Sequence, residues 1–133
     1  MKNILLVDDD NNLMRGLRRS LRDQPYQFFE AESAEWAMNV FRYRKIDLAL
    51  IDNQMGLMSG IDLAEWIAQH HPATVRLMLT GHANVRVAQD AINRGGVFRF
   101  LLKPIRHEEL ADAIAAGLKS VASLECNPVT LCL

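Results

Sequence analysis

The sequence predicts a single α/β domain built on a doubly wound parallel sheet. Five short apolar runs recur along the 133 residues, and segments with helical spacing lie between them. The runs are continuous rather than alternating, which is typical of strands buried on both faces of a parallel sheet. Right-handed crossovers then place helices on both faces. Strands are predicted at residues 4–7, 26–31, 47–52, 74–80 and 97–102.

Apolar residues at intervals of three and four predict the five intervening helices. They are Leu13, Leu17 and Leu21; Ala34, Ala37, Met38 and Phe41; Ile61, Ala64, Ile67 and Ala68; Val85, Ala88, Ala91 and Ile92; and Leu110, Ile114, Leu118 and Val121. Ser59 and Asp62 fit a capping box at the start of the third helix. The pair Gly95–Gly96 is a stop signal for the fourth. Trp36 and Trp66 lie in helices and are predicted to be partly buried.

Length and charge favour a protein that acts without nucleic acid. A chain of 133 residues suits one domain, and its net charge of −1 creates no field that attracts polyanions. The basic stretches 15–22 and 41–45 are predicted to be solvated helix faces, because no recognition-helix motif accompanies them. We expect the domain to occupy residues 1–122, and residues 123–133 to be a C-terminal tail or the stub of a linker to an output domain.

Cysteine usage and hydropathy predict a soluble, cytoplasmic protein with no membrane contact. Cys126 and Cys132 lie in the last eight residues, so a disulfide framework is not expected. The first apolar run ends at Asp8, which leaves no signal-peptide pattern. No apolar stretch approaches the roughly 20 residues that span a bilayer.

Polar residues follow four of the five predicted strands. The acidic run 8–10 follows the first strand, Asp52 ends the third, Thr80 ends the fourth, and Lys103–Pro104 follows the fifth. In an open α/β sheet, ligands bind at the carboxyl ends of the strands, near the point where the strand order reverses. These residues are therefore the candidate functional site.

The residue types at these strand ends suit a phosphoryl group held beside a metal. If the strand order is 2-1-3-4-5, Asp8, Asp9 and Asp52 converge, and three adjacent carboxylates require a cation. Mg²⁺ is the simplest choice, and Mn²⁺ also suits oxygen ligands. Thr80 adds a hydroxyl donor and Lys103 a mobile positive charge, and a carboxylate can itself accept phosphate.

These four motifs, each after its own strand, resemble the receiver domain of two-component response regulators, the CheY-like superfamily. The resemblance covers about residues 2–121. It implies a flavodoxin-like (βα)5 fold with a five-stranded parallel sheet in the order 2-1-3-4-5. It also implies that Asp52 is the phosphoacceptor. Asp9 would bind Mg²⁺ directly, Asp8 through water, and Gln54 through its backbone carbonyl.

The resemblance assigns roles to the remaining strand-end residues. Thr80 would donate its hydroxyl to a phosphoryl oxygen, and Lys103 would pair with another. Phe100, three residues before the lysine, matches the aromatic switch residue. The Lys103–Pro104 bond is expected to be cis. Asp10 is interpreted as a helix cap or surface residue, because the family needs only two acids at this position.

The implied function is phosphorylation-switched signalling. A sensor histidine kinase or phosphotransfer protein would donate the phosphoryl group to Asp52 in a Mg²⁺-dependent reaction. The face formed by helix 4, strand 5 and helix 5 would then change shape and control an output domain, a downstream protein or a homodimer. The domain would be a phosphoacceptor with self-catalysed transfer and autodephosphorylation, and not an enzyme in the usual sense.

The sequence departs from the family pattern at several positions. Gly56 stands where the family often has proline, which loosens that loop in principle. Phe100 lacks the hydroxyl of the more usual tyrosine. Gln54 and His82, two residues after Asp52 and Thr80, occupy positions that tune dephosphorylation in this family, and we expect them to alter the lifetime of the phosphorylated state.

Two other functions remain open from the sequence. In a phosphatase resembling the haloacid dehalogenase superfamily, Asp8 would be the nucleophile and Asp10 the general acid, with Thr80 and Lys103 in the later motifs. That interpretation leaves Asp52 without a role, and no second acidic pair follows Lys103 at a strand end. The other alternative is a degenerate receiver that binds partners without phosphate.

Overall fold

Strands and helices alternate along the chain in the predicted order. The computed structural model describes residues 1–9, 11–53, 59–81 and 85–125, without the side chains of Asn11, Val85 and residues 121–125. The strands are β1 (Lys2–Val7), β2 (Tyr26–Ala31), β3 (Leu48–Asp52), β4 (Val75–Thr80) and β5 (Arg99–Leu102). The helices are α1 (Asn11–Ser20), α2 (Ala34–Tyr43), α3 (Gly60–His70), α4 (Val85–Asn93) and α5 (His107–Glu125).

The five strands form one parallel sheet in the order β2-β1-β3-β4-β5. This order confirms the flavodoxin-like doubly wound fold. The inner strands β1 and β4 are mostly buried, and all five residues of β3 are buried, as the prediction requires. The edge strands β2 and β5 differ, because each has a neighbour on one side only and is half-exposed. The predicted fifth strand also begins too early, since β5 starts at Arg99 and not at residue 97.

Each face of the sheet has its own apolar core. Side chains of a strand alternate between the two faces. Leu5, Val7 and Ile51 pack with helices α2, α3 and α4, whereas Leu6 and Leu50 pack with α1 and α5. Both faces are therefore covered by helices, which explains why the central strands have continuous apolar sequences.

The predicted capping signals are present. Ser59 Oγ accepts a hydrogen bond from the Asp62 backbone N–H at 3.1 Å at the start of α3. A hydrogen bond from Arg94, followed by one from Ser59, lowers the pKa of the Asp62 carboxyl below its ordinary value. Beyond α4, Gly96 has a φ of +59°, a left-handed conformation that glycine adopts without strain. The capping box and the glycine stop are thus confirmed.

One expectation about the helices needs correction, and two further observations concern their lengths. Trp66 is half-buried against Phe41, but Trp36 is 58% exposed, because it lies on the face of α2 that points away from the sheet. Helix α5 continues to Glu125 and so extends past residue 122, and the domain boundary at that residue stays a prediction. Within the described ranges, no helix is long and apolar enough to cross a membrane.

We predict that His71 makes stability depend on pH. Its ring stacks on Phe41, with 4.6 Å between centroids, and burial followed by the charge of His70 lowers the pKa of His71. As the pH falls through about 6.5, the unfolded state binds more protons than the folded state, so the free energy of unfolding decreases. The decrease levels off below the folded pKa.

The measurement is the melting temperature between about pH 7.5 and pH 5.5, a range that spans the ordinary histidine pKa. The variant His71→Gln should lose less stability over this range than the wild type. The control variant His107→Gln removes an imidazole from α5 that contacts Ser20 of α1 and not the Phe41–His71 stack. Equal dependence in wild type and His71→Gln would contradict the prediction.

Candidate functional site

The polar residues predicted at the strand ends lie together at the carboxyl edge of the sheet. Asp8 follows β1 directly, Asp52 ends β3, Thr80 ends β4, and Lys103 follows β5. Strands β1 and β3 are neighbours, with Val7 opposite Ile51, so the residues that come next on each strand lie near one another.

Asp8, Asp9 and Asp52 form a cluster that we call the acid pocket. One carboxylate oxygen from each residue lies within 4.8 Å of the other two. The side chains of Asp8 and Asp52 are only 6% and 5% exposed, whereas Asp9 is exposed. Two buried carboxylates at this distance repel each other strongly unless a positive charge lies close by.

Lys103 supplies that positive charge. Its ammonium Nζ donates a hydrogen bond to Asp52 Oδ2 at 3.2 Å and lies 3.7 Å from Asp8 Oδ2. The strand alternation accounts for this convergence. Asp52 follows Leu50 on the α1/α5 face, and Lys103 lies two positions after Leu101, which packs on the same face.

Thr80 and Phe100 lie on the opposite face of the sheet. Met78 is opposite Phe100 in the β4–β5 register, and both belong to the core beneath α2, α3 and α4. Thr80 is two residues after Met78 and so shares this face. Thr80 is completely buried, Phe100 is partly buried, and the Lys103 N–H donates to the Thr80 carbonyl at 2.8 Å.

Two residues that the sequence analysis did not select hold the end of β3 in place. The Asn53 side chain accepts a hydrogen bond from the Ile61 N–H at 3.3 Å, and the Asn53 carbonyl accepts one from the Gly60 N–H at 3.2 Å. A Cβ atom on Gly60 would lie 2.6 Å from the Asp52 carbonyl oxygen. The first turn of α3 therefore packs directly on the backbone of Asp52. The sequence contained two signals for these roles: an asparagine directly after a predicted strand, and a glycine directly after the predicted N-cap serine.

Several predicted site residues fall outside the described ranges. They are Asp10, Gln54, Gly56 and His82. The Lys103–Pro104 peptide bond is cis, which agrees with the expected isomer.

The acid pocket has suitable ligands for a small divalent cation. Its donors are carboxylate oxygens, which Mg²⁺ and Mn²⁺ prefer. Opposite ligands of an octahedral Mg²⁺ are about 4.2 Å apart, given bonds of about 2.1 Å. The oxygens of Asp8, Asp9 and Asp52 lie within 4.8 Å of one another, so they are close enough to surround one cation.

This sheet order, with acids after β1 and β3 and a lysine after β5, defines a CheY-like receiver. The chain belongs to the response regulator receiver domain family, whose family model matches residues 4–115. The haloacid dehalogenase interpretation is not favoured, because the family match is to receivers and Asp52 lies inside the acid pocket.

Relatives and solved structures support the same assignment. The transcriptional regulatory protein GlrR of Escherichia coli is 34% identical over 119 residues, which are 90% of this chain and 27% of GlrR. The receiver domain of an HD domain-containing protein from Pseudomonas fluorescens superposes with a TM-score of 0.87 at 32% identity, covering 92% of this chain and 98% of that one. The chain spans about a quarter of the length of the curated relatives it matches.

A second similar structure was solved as a complex. The response regulator TrrA of Thermotoga maritima, solved in complex with Mg²⁺ and beryllofluoride, superposes with a TM-score of 0.76 at 26% identity. The match covers 87% of this chain and 98% of TrrA.

We predict that Mg²⁺ raises the melting temperature of the domain by binding at the acid pocket. A ligand that binds only the folded state stabilises it by about 2.7 kcal/mol when its concentration is 100 times the dissociation constant. Asp9→Asn removes one exposed ligand and should reduce this shift. The control Asp23→Asn changes an exposed acid outside the acid pocket and should keep it. The measurement is the melting temperature at increasing Mg²⁺ concentrations. An increase in Asp9→Asn as large as that in the wild type would contradict the prediction.

We predict that Gly60→Ala destabilises the domain by about 1–3 kcal/mol, the usual cost of overpacking. Its new methyl group would lie 2.6 Å from the Asp52 carbonyl and 2.7 Å from Asn53 Cα, and backbone cannot yield cheaply. Gly81→Ala is the matched control, because a Cβ there meets nothing within 4 Å. Urea unfolding of both variants checks the prediction. Equal free energies of unfolding for Gly60→Ala and Gly81→Ala would contradict it.

Proposed function

We propose that the domain accepts a phosphoryl group on Asp52 from a sensor histidine kinase or a phosphotransfer protein in the cytoplasm. The observation that carries this proposal is the position of the Asp52 carboxylate. It is almost completely buried at the end of β3, it belongs to the acid pocket, and it lies 3.2 Å from the Lys103 ammonium. A carboxylate in this setting can act as a nucleophile toward phosphorus, because nearby positive charge offsets the negative charge that the phosphoryl group adds.

Asp8, Asp9 and Asp52, with the backbone carbonyl of Gln54, would hold Mg²⁺, and Mn²⁺ is also suitable. When bound, the ion supplies neutralising charge for the carboxylates and the incoming phosphoryl oxygens. The Mg²⁺–beryllofluoride complex of TrrA supports this proposal by similarity.

Asp52, Lys103 and Thr80 would each perform a different part of the phosphoryl transfer. An oxygen of Asp52 attacks phosphorus, and the bond between phosphorus and the donor histidine nitrogen breaks as the acyl phosphate forms. Lys103 then exchanges its Asp52 contact for one to a phosphoryl oxygen, and the Thr80 hydroxyl donates to another. Hydrolysis of the acyl phosphate restores Asp52. The domain is therefore a phosphoacceptor that assists its own modification.

The response would travel from Thr80 to Phe100. These residues share one face of the sheet at the β4–β5 edge, so movement of Thr80 toward the phosphoryl group opens space for the phenyl ring. The surface formed by α4, β5 and α5, which exposes Ile92 and Leu102, would change its partner affinity. We propose an output domain, a downstream protein or a homodimer as its partner, with residues 123–133 as tail or linker.

Gln54 and His82 would set the lifetime of the phosphorylated state, because each lies two residues after a proposed site residue. Gly56 in place of proline would loosen the loop after Asp52.

We predict that acetyl phosphate with Mg²⁺ adds one phosphoryl group to the wild type and none to Asp52→Asn. Intact-mass measurement detects the adduct, and peptide mapping of the borohydride-reduced protein locates it. The exposed-acid variant Asp23→Asn should be labelled at the wild-type rate. Labelling at Asp8 would support the phosphatase alternative, and no labelling of the wild type would support a degenerate receiver.

The switch is tested separately with beryllofluoride. We expect the NMR signals of the Phe100 ring to shift on addition of Mg²⁺ and beryllofluoride to the wild type, and to shift much less in Thr80→Ala. Equal shifts in both proteins would show that Thr80 does not connect the acid pocket to Phe100.

A further inference from the structure

The outward face of α2 exposes two large aromatic side chains. Trp36 is 58% exposed and Tyr43 is 76% exposed. They are seven residues apart, so they lie two turns apart on the same side of the helix. Among the described residues, the Trp36 indole N–H and the Tyr43 hydroxyl make no hydrogen bond. Exposed aromatic side chains that share one helix face are a common mark of a protein–protein contact.

A charged stripe runs beside these aromatic residues. Glu35 lies in the first turn of α2, Arg42 in the last, and Asn39 between them. Together with Trp36 they line a shallow cleft of about 500 Å³. Glu35 and Arg42 form no ion pair with any residue that the structure describes. They also cannot pair with each other, because seven residues of helix separate them by about 10 Å.

The order of charges makes this face complementary to itself. The negative charge lies at the amino end of the helix and the positive charge at the carboxyl end. This order also suits the helix dipole, but the dipole gives no reason for the two exposed aromatic rings. When a second copy of α2 is laid antiparallel on the first, acid meets base and Trp36 meets Tyr43 at both ends.

We propose that the α2 face, formed by Glu35, Trp36, Asn39, Arg42 and Tyr43, binds the same face of a second copy of this chain about a two-fold axis. Glu35 pairs with the partner subunit's Arg42, and Trp36 packs against the partner subunit's Tyr43. In such an isologous contact each interaction occurs twice. A contact through one helix face is small, so the dimer is weak and forms at high local concentration.

This contact is separate from the switch surface. Helix α2 packs on β1 and β2, and β2 is the edge strand opposite β5. A dimer through α2 therefore leaves the α4, β5 and α5 surface free. The dimer also requires neither Mg²⁺ nor phosphate. A test of the dimer is therefore independent of the proposed phosphorylation of Asp52.

The test is sedimentation velocity over a concentration series of the unphosphorylated chain without Mg²⁺. The wild type should show a concentration-dependent dimer. Glu35→Arg gives the α2 face two positive charges, and Arg42→Glu gives it two negative charges. In a dimer of either variant, like charges face each other. Each variant alone should therefore dimerise at least about tenfold more weakly than the wild type. An equimolar mixture of the two variants should associate again, as should the double variant Glu35→Arg/Arg42→Glu.

Two controls separate this contact from other effects. Glu108→Arg makes the same charge change at an exposed position on α5 and should keep wild-type association. Trp36→Ala should weaken association without lowering the melting temperature, because most of the indole is exposed. A wild type that stays monomeric at every concentration would overturn the proposal. So would a dimer that the α2 variants leave intact, or a failure of the two single variants to associate when mixed.

Discussion

The clustering of three carboxylates at the carboxyl edge of the sheet, with one ammonium group beside two of them, is the constraint on which the rest depends. Asp8 and Asp52 are almost fully buried, and Lys103 lies 3.2 Å from one and 3.7 Å from the other. Removing such charges from water is costly unless each has a partner. Strand order meets this requirement, because β1 and β3 are neighbours and the Lys103 side chain reaches from the end of β5 to Asp8 and Asp52.

The two faces of the sheet divide the proposed chemistry from the proposed response. Asp8, Asp52 and Lys103 lie on the side of α1 and α5, whereas Thr80 and Phe100 lie on the side of α2, α3 and α4. Thr80 is the residue at which these two regions meet, since its carbonyl accepts the Lys103 N–H at 2.8 Å. We propose this contact as part of the route by which a change in charge at the acid pocket reaches the β5 edge.

The two edges of the sheet present different surfaces. The β5 edge contains the proposed switch residue and exposed apolar side chains. Beside the β2 edge, α2 covers one face of the sheet and presents outward the aromatic and charged face that we propose binds a second copy of the chain. A receiver with two such surfaces could be held together through one while it signals through the other.

The sequence by itself determined the element order, the sheet class and the residues at the strand ends. Apolar continuity, helical spacing and the Ser59 cap are local signals, and the resemblance carried by Asp8, Asp9, Asp52, Thr80 and Lys103 implied the strand order that the structure confirms. The tertiary structure alone decided which neighbours these residues meet. It packed Gly60 on the Asp52 carbonyl, and it covered Trp66 while leaving Trp36 exposed. Each of these outcomes depends on the approach of segments that are distant in sequence, which local periodicity does not specify.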